Sequence, residues 1–381
     1  MKHTAQKKTI LLNVVPHGKG NTSEYRSIEE LFALAKTAGG IVVEKVIQRR
    51  GRPSAETFLG SGKIQEAATF AEENAIELVI VNGVLKPNQY IHLGKIFPKD
   101  IKIWDRIDLI LDIFDRHASA PEAKAQIKLA RLHHDIPKIY ARESTTLFER
   151  AGAGIGTRGA GERGIEEEKR HIRRQIKSLE EKLEIIRKKM LSQRNNRKRT
   201  GMPVVALVGY TNAGKSSLMR TLTKKPGILV DDALFVTLET KIGTLWLPSA
   251  QQNVFVADTI GFIRDLPPQL VESFLTTLAE AREADILLHV VDISDPEYKK
   301  KIETTEEILQ RIDCKNQETL LVFNKNDRLP HRKKMAEGSV SFLPLREFRH
   351  QNPICISAEE GEGIEHLKTR IEEILFGKMK E

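Results

Sequence analysis

Apolar positions along the first hundred residues keep switching between two periods. Short apolar runs, Thr9–Val15, Ile41–Ile47, Glu77–Val81 and Ile101–Trp104, read as strands. Between them, Ser27–Ala35, Gly62–Asn74 and Pro87–Phe97 repeat their apolar residues every three or four positions and read as helices. Strands alternating with helices imply crossover connections and a small parallel sheet.

The pattern changes at Asp108. From Leu109 to about Glu149 it is helical, with interruptions expected at Pro121 and Pro137, where an N–H is missing. Ala151–Gly164 is too rich in glycine for regular structure and reads as a loop. Beyond it Ile165, Ile172, Ile176, Leu179, Leu183, Ile186 and Met190 form a seam that needs an apolar partner, and Ile127, Leu129 and Leu132 are the nearest. A helical hairpin with the glycine loop at its tip is the expectation.

After Met202 the alternation returns. Strands are expected at Val204–Gly209, Thr240–Leu247, Val254–Asp258, Ile286–Asp292, Thr319–Asn324 and Ile354–Ser357, with helices at Pro268–Arg282, Tyr298–Ile312 and Ile364–Phe376. Most of these strands are near-continuous apolar runs, as in a sheet covered on both faces. The chain thus divides into an N-terminal α/β domain (1–107), a helical hairpin with a glycine-rich tip and basic linker (108–200), and a second α/β domain (201–381).

Composition adds four points. Among 381 residues, 40% are hydrophobic, enough for packed cores. The two cysteines, Cys314 and Cys355, fit neither a disulfide framework nor a zinc site, which suggests a reducing compartment. Neither a signal peptide nor a bilayer-length apolar run is evident, so a cytoplasmic protein is expected. Much of the net charge of +9 is concentrated between Lys169 and Arg199. Such a stripe is either a solvated helix face with a basic linker or a footprint for a polyanion, and nucleic-acid contact is the expected use.

The chemistry begins at Gly209-Tyr210-Thr211-Asn212-Ala213-Gly214-Lys215-Ser216, which fits G-x-x-x-x-G-K-S/T between a strand and a helix that opens with Ser217. The glycines let backbone N–H groups turn toward an anion, and the helix adds its positive end. Lys215 would reach β/γ-phosphate oxygens and Ser216 would hold Mg²⁺. Asp258-Thr259-Ile260-Gly261 closes another strand, with a carboxylate for the metal and a Gly261 N–H for the terminal phosphate. Asn324-Lys325-Asn326-Asp327 fits N-K-x-D, in which an aspartate accepts the guanine N1–H and 2-amino donors that adenine does not pair together. Ser357-Ala358-Glu359 would cover the guanine O6. All lie at strand ends, where open α/β sheets bind ligands.

This set resembles the translation-factor-like P-loop GTPases, with a Ras-like fold for residues 201–381. By that resemblance Leu234-Phe235-Val236-Thr237-Leu238-Glu239-Thr240 is the first switch, with Phe235, Val236, Leu238 and Glu239 near the nucleotide and Thr237 adding its hydroxyl to the metal. Gly261–Leu266 is the second switch. Phe262 stands where Ras-like enzymes place a water-orienting glutamine, so slow intrinsic hydrolysis and a stimulating partner are expected.

The stretch Asp258–Pro267, together with Gln48–Pro53, Phe58–Lys63, Asp105-Arg106, Leu109–Phe114 and Gly159-Ala160-Gly161-Glu162, is similar to signatures of the HflX GTPases. The resemblance covers nearly the whole chain. It implies GTP/GDP binding, Mg²⁺, catalytic roles for Lys215, Thr237 and Gly261, and binding to the 50S ribosomal subunit and its rRNA to split 70S ribosomes. The hairpin would reach toward the peptidyl-transferase region, with Arg158, Arg163, Arg170, Arg173 and Arg174 on RNA. A monomer is expected. The rival is a GTP-dependent module regulating a protein or membrane-bound complex, which leaves room for weak membrane association.

Three departures stand out. Asn82-Gly83-Val84-Leu85 replaces an acidic stretch of relatives, Arg163-Gly164 makes the tip more basic, and little chain follows Phe376, where longer relatives carry a small domain. His133-His134 read as surface or core histidines, since adjacent helical positions diverge. Trp104 and Trp246 read as packing residues.

Overall fold

The computed structural model describes residues 6–16, 21–151, 160–223, 241–264, 280–314, 317–329 and 347–377. They divide between two compact units, one holding residues 1–116 and 124–183, the other 117–123 and 184–381.

In the first unit β1 (Lys7–Val15), β2 (Gly40–Arg49), β3 (Leu78–Val81) and β4 (Lys102–Trp104) form a wholly parallel sheet in the order β2-β1-β3-β4. The crossovers are α1 (Asn21–Thr37), α2 (Ser61–Glu73) and α3 (Pro87–Ile96). Ile10 and Leu12 of β1 pack with Ile64 and Ala67 of α2 and Leu93 of α3. Strand alternation places the fully buried Leu11 on the other face, which explains the unbroken apolar run. At the end of β3, Asn82 donates to Asn13 and Ser27 and accepts from Arg106, which also pairs with Glu30 at 2.8 Å. Asn82 is thus a structural crosslink.

Helix α4 (Arg106–His117) opens with a reciprocal cap. Asp105 Oδ1 accepts the Asp108 N–H at 2.9 Å and Asp108 Oδ2 accepts the Asp105 N–H at 3.1 Å, so two donors at the helix start are satisfied together. Helix α5 (Pro121–Ala151) starts at Pro121, where the missing N–H costs nothing, but it runs through Pro137, where an interruption was expected. The exposed Pro137 is bracketed by His134 and Lys138, both anchored on Asp108, so contacts on either side hold the helical path.

Helix α6 (Ala160–Arg199) spans 40 residues. Its first five residues, Ala160–Gly164, are helical although their glycine content predicts a loop; residues 152–159 lie outside the description. The helix runs on to Arg199, so the basic end of the second arm is helical. Ile172 is buried, and Ile176, Leu179, Leu183, Ile186 and Met190 are half-buried along the expected seam.

The second unit holds a six-stranded sheet, ordered β10-β9-β8-β5-β7-β6. Its strands are β5 (Val204–Val208), β6 (Lys241–Leu247), β7 (Gln252–Asp258), β8 (Ile286–Asp292), β9 (Glu318–Asn324) and β10 (Ile354–Cys355), parallel except that β6 runs antiparallel to β7. Val205 and Leu207 pack with Leu218 and Leu222 of α7 (Lys215–Thr223) and with Leu367 and Ile371 of α9 (Ile364–Phe376). On the opposite face Ala206 and Val208 meet Ile308 and Leu309 of α8 (Tyr298–Arg311). On the edge strand β6, Leu245 and Leu247 point inward and Trp246 points out, half exposed, so Trp246 is not the packing residue expected.

Candidate functional site

Strand β5 delivers residues 209–216 from the middle of the sheet. Gly209 has φ +142°, and a Cβ there would stand 2.2 Å from the Val290 carbonyl oxygen of β8. Gly214 has φ +91°, with Asn324 Nδ2 2.1 Å from the place of a Cβ. Both positions therefore exclude a side chain. Lys215 is buried and its ammonium donates to the Gly209 and Tyr210 carbonyls at 3.0 and 2.8 Å. Burial lowers its pKa to about 8, with Asp258 acting the other way and Lys325 reinforcing the decrease.

Ser216 Oγ donates to Asp258 Oδ2 at 2.7 Å, and Asp258 is wholly buried at the end of β7. Thr259 turns its hydroxyl to the Leu207 carbonyl at 2.7 Å, which fixes the exit from β7. Ile260 is buried, and Gly261 lies so close to the loop that a Cβ would meet Thr211 Cα at 2.8 Å and Lys215 Nζ at 3.0 Å. A hydroxyl and a carboxylate oxygen side by side form a hard-oxygen donor set of the type that Mg²⁺ takes.

A second group of loops joins at Asn324. Its Nδ2 donates to the Ala213 carbonyl at 2.9 Å, and its Oδ1 accepts the Ala358 N–H at 2.9 Å. Lys325, in the left-handed region at φ +64°, donates to the Asn212 carbonyl at 2.7 Å and pairs with Asp292 at 2.8 Å. Asn326, Asp327 and Arg328 form one 3-10 turn, with Asp327 partly exposed. Ser357 is fully buried, Ala358 is buried and Glu359 is exposed.

Three families match consecutive parts of the chain. Residues 25–115 match the GTP-binding GTPase N-terminal family, 117–197 the GTP-binding GTPase Middle Region and 204–325 a family described as 50S ribosome-binding GTPase. GTPase HflX of Flavobacterium psychrophilum is 38% identical over 379 residues, which cover 96% of this chain and 90% of that protein. The chain belongs to the HflX GTPase family. GTPase HflX of Escherichia coli K12 is 34% identical, over 93% of this chain and 80% of its own. Among solved structures, that of SsGBP with GDP has a TM-score of 0.52 and 27% identity, over 96% of this chain and 98% of its own.

As an HflX-family chain the protein is a GTP hydrolase with a P-loop nucleotide fold. The residues expected at the phosphate, metal and base positions converge on one end of the six-stranded sheet, apart from Phe235–Glu239 with Thr237, which lie outside the described residues. Phe262 is buried in one apolar cluster with Ala206, Val208 and Leu287.

On α6 the expected RNA-facing arginines differ among themselves. Arg170, Arg173 and Arg174 are exposed, but Arg173 Nη2 donates to Tyr140 of α5 at 2.7 Å and so also ties the two helices. Lys169, counted with the basic stripe, is buried over the Tyr140 ring and is not part of the charged surface. Arg163 is helical, its side chain outside the description, and Arg158 lies outside it altogether. No described helix is long and apolar enough to cross a membrane.

Motif reasoning missed several residues. Asp292, one residue from no recognised signature, holds Lys325. His289 is buried on β8, where burial, reinforced by Lys215, lowers its pKa to about 3 and keeps it neutral. In the first unit His134 lies 3.2 Å from Asp105 and 3.5 Å from Asp108, and Lys138 Nζ donates to both Asp108 oxygens at 3.1 Å. His134 thus has the carboxylate neighbours that its sequence context did not reveal, while His133 is exposed. The Lys138 ammonium and three backbone N–H groups, of Leu85, Asp105 and Asp108, already occupy these oxygens, so the cluster is an ion-paired helix cap.

Proposed function

We propose that this GTPase binds the large ribosomal subunit and splits 70S ribosomes, with hydrolysis slow in the free protein and stimulated by the ribosome. The juxtaposition of Ser216 and Asp258 beside the buried Lys215 is the observation that carries the nucleotide half of this reading. Residues 209–217 and Gly261 would receive the phosphates, Asn324–Asp327 and Ser357–Glu359 the guanine. Ser216, Asp258 and Thr237 would hold Mg²⁺, which when bound neutralises charge on the β- and γ-phosphate oxygens. Lys215 stabilises charge on the transferring group, the Gly261 N–H orients the terminal phosphate, and Phe262, enclosed in the core, leaves water positioning to a partner.

The ribosomal half rests on the family description for residues 204–325 and on the exposed Arg170 and Arg174 of α6. The protein would work as a cytoplasmic monomer in three parts, 1–107, 108–200 and 201–381, the hairpin meeting rRNA. Cosedimentation with 50S subunits and a non-hydrolysable GTP analogue tests this: binding should weaken steeply with salt, as expected when basic side chains displace counterions from phosphates. Equal GTP turnover with and without 50S subunits would overturn it.

A further inference from the structure

Tyr210 is the second residue of the phosphate loop, a position that contributes only backbone to the reading above. Its side chain is nevertheless built into a closed arrangement. The hydroxyl accepts the Arg264 N–H at 2.7 Å, from the segment that follows Gly261. Two backbone bonds lie beneath it, Thr211 N–H to the Phe262 carbonyl at 2.8 Å and Phe262 N–H to the Gly209 carbonyl at 3.0 Å. The ring lies 4.6 Å from Lys301 Nζ of α8, and Lys301 itself pairs with Asp295. Arg264 reaches Glu297 at 3.6 Å. Residues 262–264 are thereby fastened to the loop from both sides, by a buried tyrosine whose position is fixed by a cation.

We propose that Tyr210 is a specificity-determining positioning residue that sets the preference between GTP and GDP, by clasping Gly261–Arg264 against the phosphate loop. The inference rests on the reading that a terminal phosphate lies between Lys215 and Gly261. In the clasped arrangement these two already stand so close that a methyl group on Gly261 would meet Lys215 Nζ at 3.0 Å. A third phosphate must part them, and parting them strains the Tyr210 bond together with the two backbone bonds of Phe262. GDP makes no such demand. The clasp therefore reduces apparent affinity for the triphosphate by the fraction of molecules in which it is open, and leaves the diphosphate unaffected.

The test is the ratio of dissociation constants for GDP and a non-hydrolysable GTP analogue, measured by fluorescence competition on the full chain with Mg²⁺. Tyr210→Phe keeps the ring and removes the acceptor; it should improve analogue affinity relative to GDP about fivefold, the scale of one neutral hydrogen bond. Lys301→Gln leaves the hydroxyl but frees the ring, and should shift the ratio the same way by less. A shift of the ratio is a readout that a general folding defect, which weakens both nucleotides together, does not produce. An unchanged ratio, or one shifted toward GDP, with both nucleotides still bound overturns the clasp alone. If Tyr210→Phe fails to fold, an unmoved ratio in Lys301→Gln overturns it. Wild-type protein that bound neither nucleotide would overturn the site reading along with it.

Discussion

The Ser216 hydroxyl donates to the Asp258 carboxylate across 2.7 Å, joining the first turn of α7 to the end of β7. Both oxygens would turn to a divalent cation when nucleotide arrives. Ser216→Ala removes one of them without touching the loop backbone. Magnesium titration of GDP binding should then show the metal-dependent gain in affinity reduced by roughly tenfold, about the value of one lost interaction with a charged group.

The proposed guanine site makes base selectivity depend on Asp327. Asp327→Asn replaces an acceptor pair by an amide that can donate, which suits the 2-oxo group of xanthine and leaves the guanine 2-amino group without a partner. Competition binding should show GDP weakened by on the order of 100-fold and xanthosine diphosphate gained. Unchanged GDP affinity would remove Asp327 from the base site.

At Gly209 the obstacle to any side chain is backbone, not a flexible neighbour. Gly209→Ala must move the loop off Val290 or distort β8, and the cost should exceed about 3 kcal/mol. Thermal melting followed by circular dichroism should show a clearly lowered midpoint even before nucleotide is added. A wild-type melting curve would contradict the clash.

The ion-paired cap in the first unit predicts a pH dependence. Burial alone would lower the His134 pKa, but its bonds to Asp105 and Asp108 outweigh this and raise it to about 9. Its stabilisation is complete below the ordinary histidine value near 6.5 and fades as pH rises through about 9. Asp108 is lowered to about 2, since the histidine and Lys138 overcome the upward effect of burial, so its contribution is lost only as pH falls toward 2. Between pH 6.5 and 9 the wild-type melting temperature should decline, by the equivalent of on the order of 2 kcal/mol, and His134→Gln should flatten that decline.

Both sheets and the order of the nucleotide motifs were legible in the chain, because apolar runs of strand length and glycines before Lys215 are local signals. What escaped was set by contacts distant in sequence. Nothing near Tyr210 announces Arg264, and nothing near His134 announces Asp105. Pro137 looked like a break because a missing N–H is a local fact. The anchors that hold α5 helical through it are His134, three residues before, and Lys138, the next residue, on a carboxylate thirty residues earlier than Lys138. Trp246 looked like core because hydrophobicity was counted without strand parity.

Asn324 spends its amide on two bonds, to Ala213 and Ala358, so one group stitches the glycine-rich loop after β5 to the turn after β10. If nucleotide binds as proposed, its base and its phosphates are consequently held by one connected frame. Evolution could retune either preference by altering the frame's contact atoms, but substituting its keystone would cost both at once.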